Sequence, residues 1–109
     1  TITATITRES TQELGLAMGK EAIALVKASS VIVGAPGPGL RLSARNQLPG
    51  KITALRPGAV NSEILIGLEG GVTLAAIVTN ESAQDLALDV GADAVAIFKA
   101  SSVILGVLD

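Results

Sequence analysis

Three polar clusters in this 109-residue chain have the composition of a small anion site. Thr79-Asn80-Glu81-Ser82 places two hydroxyls three residues apart at the start of a short helix. A Thr in that position caps the helix. The first backbone N–H groups there lack internal partners, and the helix dipole favours negative charge. Lys99-Ala100-Ser101-Ser102 sets an ammonium beside a turn of small residues whose N–H groups stay open, a plausible oxyanion cradle. Ser43-Ala44-Arg45-Asn46 adds a planar fork of donors suited to a tetrahedral oxyanion. Taken singly, each has a plainer reading: a helix cap, a solvated lysine at a strand end, a surface ion pair. Together they are all donors with no carboxylate pair, which suits a small anion. Glu81 and its counterpart Glu9 are the awkward members; they are expected at N3-type positions, completing a capping box.

Two of these clusters occur twice. Residues 1–34 align without a gap to residues 73–106, and more than half of the pairs are identical. Thr7, Glu9 and Ser10 match Thr79, Glu81 and Ser82; the run Lys27–Ile32 matches Lys99–Ile104. A core needs only apolar periodicity, so the retention of polar residues argues for a duplicated polar site within a tandem repeat. The repeat is incomplete. Residues 1–34 have no counterpart of Leu42–Val72, so Ser43 and Arg45 occur once. The expected organisation is the later part of a first repeat at 1–34, a linker at 35–41 and a complete second repeat at 42–107. On this reading the chain is a fragment, a processed product or a rearranged form. A half-repeat leaves strand edges and part of a core open, which a further copy of the chain is expected to cover.

Composition closes off other chemistries. The chain has no Cys and no His, which removes disulfides, thiol chemistry and the usual zinc or copper ligands. No nucleophile–base pair is present, so no enzymatic activity is expected. Net charge is −2 and Phe98 is the only aromatic, so neither the basic groove nor the stacking platform of a nucleic-acid binder is available. Hydrophobic residues make up 49% of the chain and mean hydropathy is +0.58, yet charged residues or Gly interrupt every apolar run before it could span a membrane. High apolarity without a span points to burial between subunits.

The elements that must position the clusters follow from periodicity. Residues 1–7 alternate Thr with apolar residues and predict a strand, followed by a helix over 8–16. Strands are expected at 21–27, 30–34, 51–56, 61–68, 72–78, 92–99 and 102–107, with a helix at 80–88. Pro57-Gly58 and Glu69-Gly70-Gly71 mark turns. The complete unit is therefore β-β-β-α-β-β: all-β with short helices, in the order of an OB-like five-stranded barrel.

Ser43 to Lys51, Gly58 to Glu63 and Lys99 to Gly106 closely resemble the molybdate-binding Mop (molbindin/TOBE) domain, and two copies in tandem resemble a di-Mop protein. The resemblance implies an OB-like barrel, assembly into a trimer or hexamer of such units, and oxyanion sites between subunits. It places the ligand on Ser43 and Arg45, on Thr79 and Ser82 with Thr7 and Ser10 in the partial copy, and on Lys99 and Ala100 with Lys27 and Ala28 in the partial copy. It implies molybdate or tungstate held by hydrogen bonds, with no cofactor and no direct metal ligand. The expected role is cytoplasmic storage or homeostasis of the oxyanion, by a homo-oligomer that is most simply a trimer. The alternative is the effector-binding domain of a molybdate-responsive transcription regulator.

Overall fold

A computed structural model describes residues 1–37 and 42–108. The second half of the proposed linker, 38–41, lies outside the described residues. Seven strands and two short helices run in the order α1 (Arg8–Glu13), β1 (Ile23–Val26), β2 (Ile32–Gly34), β3 (Asn46–Pro57), β4 (Asn61–Leu68), β5 (Thr73–Thr79), α2 (Asn80–Asp85), β6 (Asp93–Phe98) and β7 (Val103–Gly106). Single turns of 3-10 helix at Ala28–Ser30 and Ala100–Ser102 link β1 to β2 and β6 to β7. Residues 42–107 thus show the expected strand order, and the architecture is mostly β and OB-like.

The strands form two antiparallel sheets. The larger has the order β2-β6-β3-β4-β5 and the smaller pairs β1 with β7. The sheet order departs from a self-contained barrel. The last strand of residues 42–107 leaves its own sheet to pair with β1, and β2 takes the vacated edge of β6. The two exchanges are equivalent: Ile23 faces Gly106 in one ladder, and Gly34 faces Val95 in the other. Moving each residue to its repeat counterpart turns one pair into the other.

β3 serves two neighbours. Asn46–Lys51 pairs with β6 and Gly50–Pro57 with β4, with a bulge between Ile52 and Ala54. A bulge bends and twists its strand, which is what a 12-residue strand needs to curl around a core. Alternation on β4 buries Ser62, Ile64 and Ile66, and the two isoleucines pack with Ile52, Ala76, Ala94 and Ala96. Each fully buried Ile contributes about 1.5–3 kcal/mol through burial. With Ala at the facing positions, the layers approach closely without aromatic bulk.

Several expectations change at the element ends. Residues 1–7 join no ladder, because the strand that would pair with them, the counterpart of β4, is absent from this chain. Their counterpart β5 does pair, with β4. β3 starts at Asn46 rather than Lys51, since Pro49 and Gly50 sit where the sheet passes from one neighbour to the other. Residues 21 and 22 are not in β1. Both helices stop three residues early, at Glu13 and Asp85. The cause is a left-handed residue after each C-cap, Gly15 (φ 64°) and Ala87 (φ 52°). Two reverse bonds close each end: Leu16 N–H to Thr11 C=O with Gly15 N–H to Gln12 C=O, and Leu88 N–H to Ala83 C=O with Ala87 N–H to Gln84 C=O.

Ala87 adopts there a conformation that its counterpart Gly15 adopts without a Cβ penalty. Ala87→Gly is therefore expected to stabilise the fold by about 0.5–1 kcal/mol in urea denaturation; a loss of stability would contradict the left-handed cap. Gly50 is the reverse case. A Cβ there would meet Gly67 O at 2.5 Å and Ile66 Cγ2 at 2.9 Å. Gly50→Ala is expected to cost about 1–3 kcal/mol, and a neutral result would mean that β3 and β4 do not approach this closely.

Candidate functional site: an anion pole shared by the two repeats

The capping reading of the Thr/Ser clusters holds in both copies. Thr7 Oγ1 accepts from Ser10 N–H at 3.1 Å, and Thr79 Oγ1 accepts from Ser82 N–H at 3.1 Å. Each Thr hydroxyl then donates to the Ser hydroxyl, at 2.9 Å for Ser10 and 2.8 Å for Ser82. The Ser oxygen accepts in that bond and keeps its own O–H for another acceptor. The capping box does not form. With Thr7 and Thr79 as N-caps, Glu9 and Glu81 stand at the second helical position and the Ser residues at the third. Asn80 is tied instead to the β3–β4 turn: its Nδ2 donates to Gly58 O at 2.9 Å and its Oδ1 accepts from Ser62. Arg8 replaces it in the first copy, where that turn has no counterpart.

Lys27 and Lys99 occupy the same place. Each is the residue before a 3-10 turn, with extended backbone, and its C=O accepts from the third residue on: Ser30 N–H at 2.8 Å and Ser102 N–H at 2.9 Å. The first N–H groups of such a turn have no partner inside it. Both lysines are exposed, as are Ser43, Arg45, Thr7, Thr79 and Ser82; Ser10 and Ala28 are half-buried and Ala100 is buried. Among the described residues the ion pairs are Lys51–Asp93 and Arg56–Glu63, so Arg45, Lys27 and Lys99 keep their charge free of a carboxylate.

The structure brings these residues together across the copies. Asn46 pairs with Phe98 in the β3–β6 ladder, so Ser43-Ala44-Arg45 leads into the sheet beside Lys99 and Ala100. Residues 1–7 are held at the same end. Thr5 N–H donates to Ala100 C=O at 3.0 Å, and the Asn46 carboxamide bonds both backbone groups of Thr3. The segment then continues into Thr7 and Ser10. This end of the sheet, one pole of the molecule, holds Ser43, Arg45, Lys99 and Ala100, with Thr3 and Thr5 of the other copy anchored on it and Thr7 two residues further along. At the second pole β5, which ends in Thr79, packs against the turn at Ala28–Ser30. Thr79 ends that strand and Lys27 precedes that turn, so the second Thr-Ser and Lys-Ala pairs fall on this side, and residues 1–34 bring no Ser-Ala-Arg stretch to it.

Asn46 was absent from the sequence-derived site residues. It is 1% exposed; the signal the sequence carries for it is its place as the last member of the Ser43-Ala44-Arg45-Asn46 cluster. A cleft of about 450 Å³ lies elsewhere, between α2 and the β3–β4 turn, lined by Leu55, Pro57, Ser62 and Asn80 among others, and takes in none of the three clusters beyond Asn80.

The TOBE domain family matches residues 1–33 and 42–105. "Molybdenum transport protein ModE" of Azotobacter vinelandii is 46% identical over 97% of this chain and 39% of its own length. "Molybdenum-pterin-binding protein MopA" of Rhodobacter capsulatus is 46% identical over 95% of this chain and 39% of its own. The chain thus spans about two-fifths of the length of these curated relatives. Among solved structures, the cytoplasmic molybdate-binding protein ModG in a molybdate-bound form superposes with a TM-score of 0.92 at 47% identity, covering 96% of this chain and 74% of that one. With nearly the whole chain matched and both the strand order and the polar clusters in place, this chain belongs to the TOBE domain family.

Proposed function

We propose that this chain binds molybdate or tungstate by hydrogen bonds at the pole formed by Ser43, Arg45, Lys99 and Ala100 with Thr7 and Ser10. The reading is supported by two cations without carboxylate partners, three hydroxyls and open turn N–H groups, carried by stretches that the β3–β6 ladder and the bonds of Thr3 and Thr5 anchor at one end of the sheet. A tetrahedral dianion needs donors on several sides, and these come from three separate stretches of chain. Nothing in the cluster can act as a nucleophile–base pair, so the activity is reversible binding and not catalysis. We read the chain as a partial and a complete Mop-type repeat, with boundaries at 1–34 and 42–107. Thr79, Ser82, Lys27 and Ala28 form a second pole, to which residues 1–34 bring no Ser-Ala-Arg stretch.

We place the chain in the cytoplasm as an oxyanion store, a role in keeping with its likeness to a molybdate-bound cytoplasmic protein. No helix of the described residues is long and apolar enough to cross a membrane. The second reading, the effector-binding part of a transcription regulator, draws on the relatives named ModE. The two readings share the site and differ in what is attached to it; ligand-dependent DNA binding by the whole parent protein would favour the second.

Assembly completes the proposal. Ile32 and its counterpart Ile104 are 64% and 61% exposed, and Val60, Val72 and Ile77 are also open. This much exposed aliphatic surface is an interface composition, and closing it over the pole would exclude water and strengthen each donor. A trimer of about 33 kDa is expected from sedimentation as a closed ring of the 10.9 kDa chain; a monomer at micromolar concentration would contradict it.

Ligand binding should raise the melting temperature with molybdate and tungstate far more than with equal sulfate, because native-state binding stabilises by mass action. Sulfate carries the same charge and shape on a smaller ion, so equal shifts for all three would mean a general anion effect. Hydrogen bonds to charged groups contribute about 1.5–3 kcal/mol. Arg45→Ala or Lys99→Ala is therefore expected to weaken molybdate binding about ten- to a hundredfold in calorimetric titration, with the fold intact because both are exposed. Lys27→Ala should leave this tight site within about threefold of the parent. Loss of folding in the Arg45 or Lys99 variants would make these residues structural.

A further inference from the structure

Asn46 is one of two buried polar residues among those described, and its partners are unusual. Its Oδ1 accepts from Thr3 N–H at 2.7 Å, and its Nδ2 donates to Thr3 C=O at 2.7 Å. A side-chain amide that bonds both backbone groups of one residue imitates a neighbouring strand. That is what residues 1–7 lack. Their counterpart β5 is held by the β4 ladder, in which Ala75, the counterpart of Thr3, pairs with Leu65. The segment 1–7 has instead this amide and the Thr5–Ala100 bond. Both anchors fall beside the anion pole, for Asn46 follows Arg45 and Ala100 follows Lys99.

We propose that Asn46 is the positioning residue of the pole: it holds the first copy's Thr7–Ser10 hydroxyls against the Arg45 and Lys99 of the second. It acts through the 1–7 segment and does not touch the anion. Full burial suits this role. The clasp is shielded from competing water, and every polar atom of the amide that is buried has a partner. The second pole has no such amide, since the chain has no second Ser-Ala-Arg-Asn. The inference rests on the proposed function and adds to it a residue 43 positions away in sequence from the segment it fixes.

The test uses the full chain with molybdate in calorimetric titration, at a temperature where circular dichroism shows each variant folded. Asn46→Leu keeps the branched shape and removes both bonds; Asn46→Ser replaces it where the Leu variant does not fold. Molybdate affinity is expected to fall about tenfold. Exchange of the Thr5 amide is expected to quicken by at least about tenfold. In a Thr7→Ala background the same change should cost less than about twofold, because the group it positions is already gone. Ser62→Ala removes the other buried polar side chain, which lies by Asn80 and away from the pole, and should lower stability without lowering affinity. Unchanged affinity in the Asn46 variants overturns the proposal. An equal loss in Ser62→Ala, or an undiminished loss in the Thr7→Ala background, also overturns it by making the effect one of general stability. No molybdate binding by the unaltered chain would overturn the functional reading instead, and Thr5 exchange would still report whether Asn46 holds the segment.

Discussion

The reciprocal exchange of last strands is the constraint on which the rest of this molecule depends. β7 lies on β1 and β2 lies on β6, in matching register. Each Lys–Ala turn is the bridge by which the chain leaves one sheet for the other. A turn in that position ends up against the Thr segment of the opposite copy, as the Thr5–Ala100 bond and the packing of β5 on Ala28–Ser30 record. The donors at each pole therefore come from both copies. Were each copy to keep its last strand, Lys99 would face no part of residues 1–10.

The exchange is symmetric, so the difference between the two poles lies in what each copy brings to it. Both have a Thr–Ser pair and a Lys–Ala turn, but only one has the strand that begins with Asn46. Arg45 adds a second cation there, and the amide next to it bonds Thr3 in the segment that leads to Thr7 and Ser10. At the other pole Lys27 is the single strong donor. A dianion in an open, hydrated setting gains little from one lysine, because exposed ion pairs contribute about 0–1 kcal/mol. Several donors fixed in advance around one small volume change that balance, since no side chain must then be ordered by the ligand.

Much of this was legible from the residues. Thr7 and Thr79 were readable as caps from hydroxyls ahead of short polar–apolar runs, and they cap in the structure. The order of elements in residues 42–107 followed from alternation and from Pro57-Gly58 and Glu69-Gly70-Gly71. The exchange was not legible. The repeats have nearly the same apolar pattern, so β7 fits the edge of β1 as well as that of β6, and only three-dimensional closure chooses between them. The irregular path of residues 1–7 was hidden for a related reason: TITATIT is a strand by pattern, but a strand needs a neighbour, and that neighbour is outside this chain's repeat. Both helices were expected to run three residues further: the expected helix over 8–16 passed through Gly15 in spite of its turn signal, and Ala87 carries no such signal. Asn46 was legible as part of the Ser43–Asn46 cluster but not as an anchor, since its bonds go to Thr3, far away in sequence.

The central claim is the location of the anion: between Arg45, the Lys99–Ala100 turn and the first copy's Thr7–Ser10, and not at the equivalent turn at Lys27. Anomalous diffraction at the molybdenum absorption edge, from crystals grown with molybdate just above one equivalent per chain, tests it directly. The account predicts a strong peak within hydrogen-bonding reach of Arg45 and the Ala100 N–H, and a weaker peak or none beside Lys27. A dominant peak at Lys27, or one away from both turns, would contradict it.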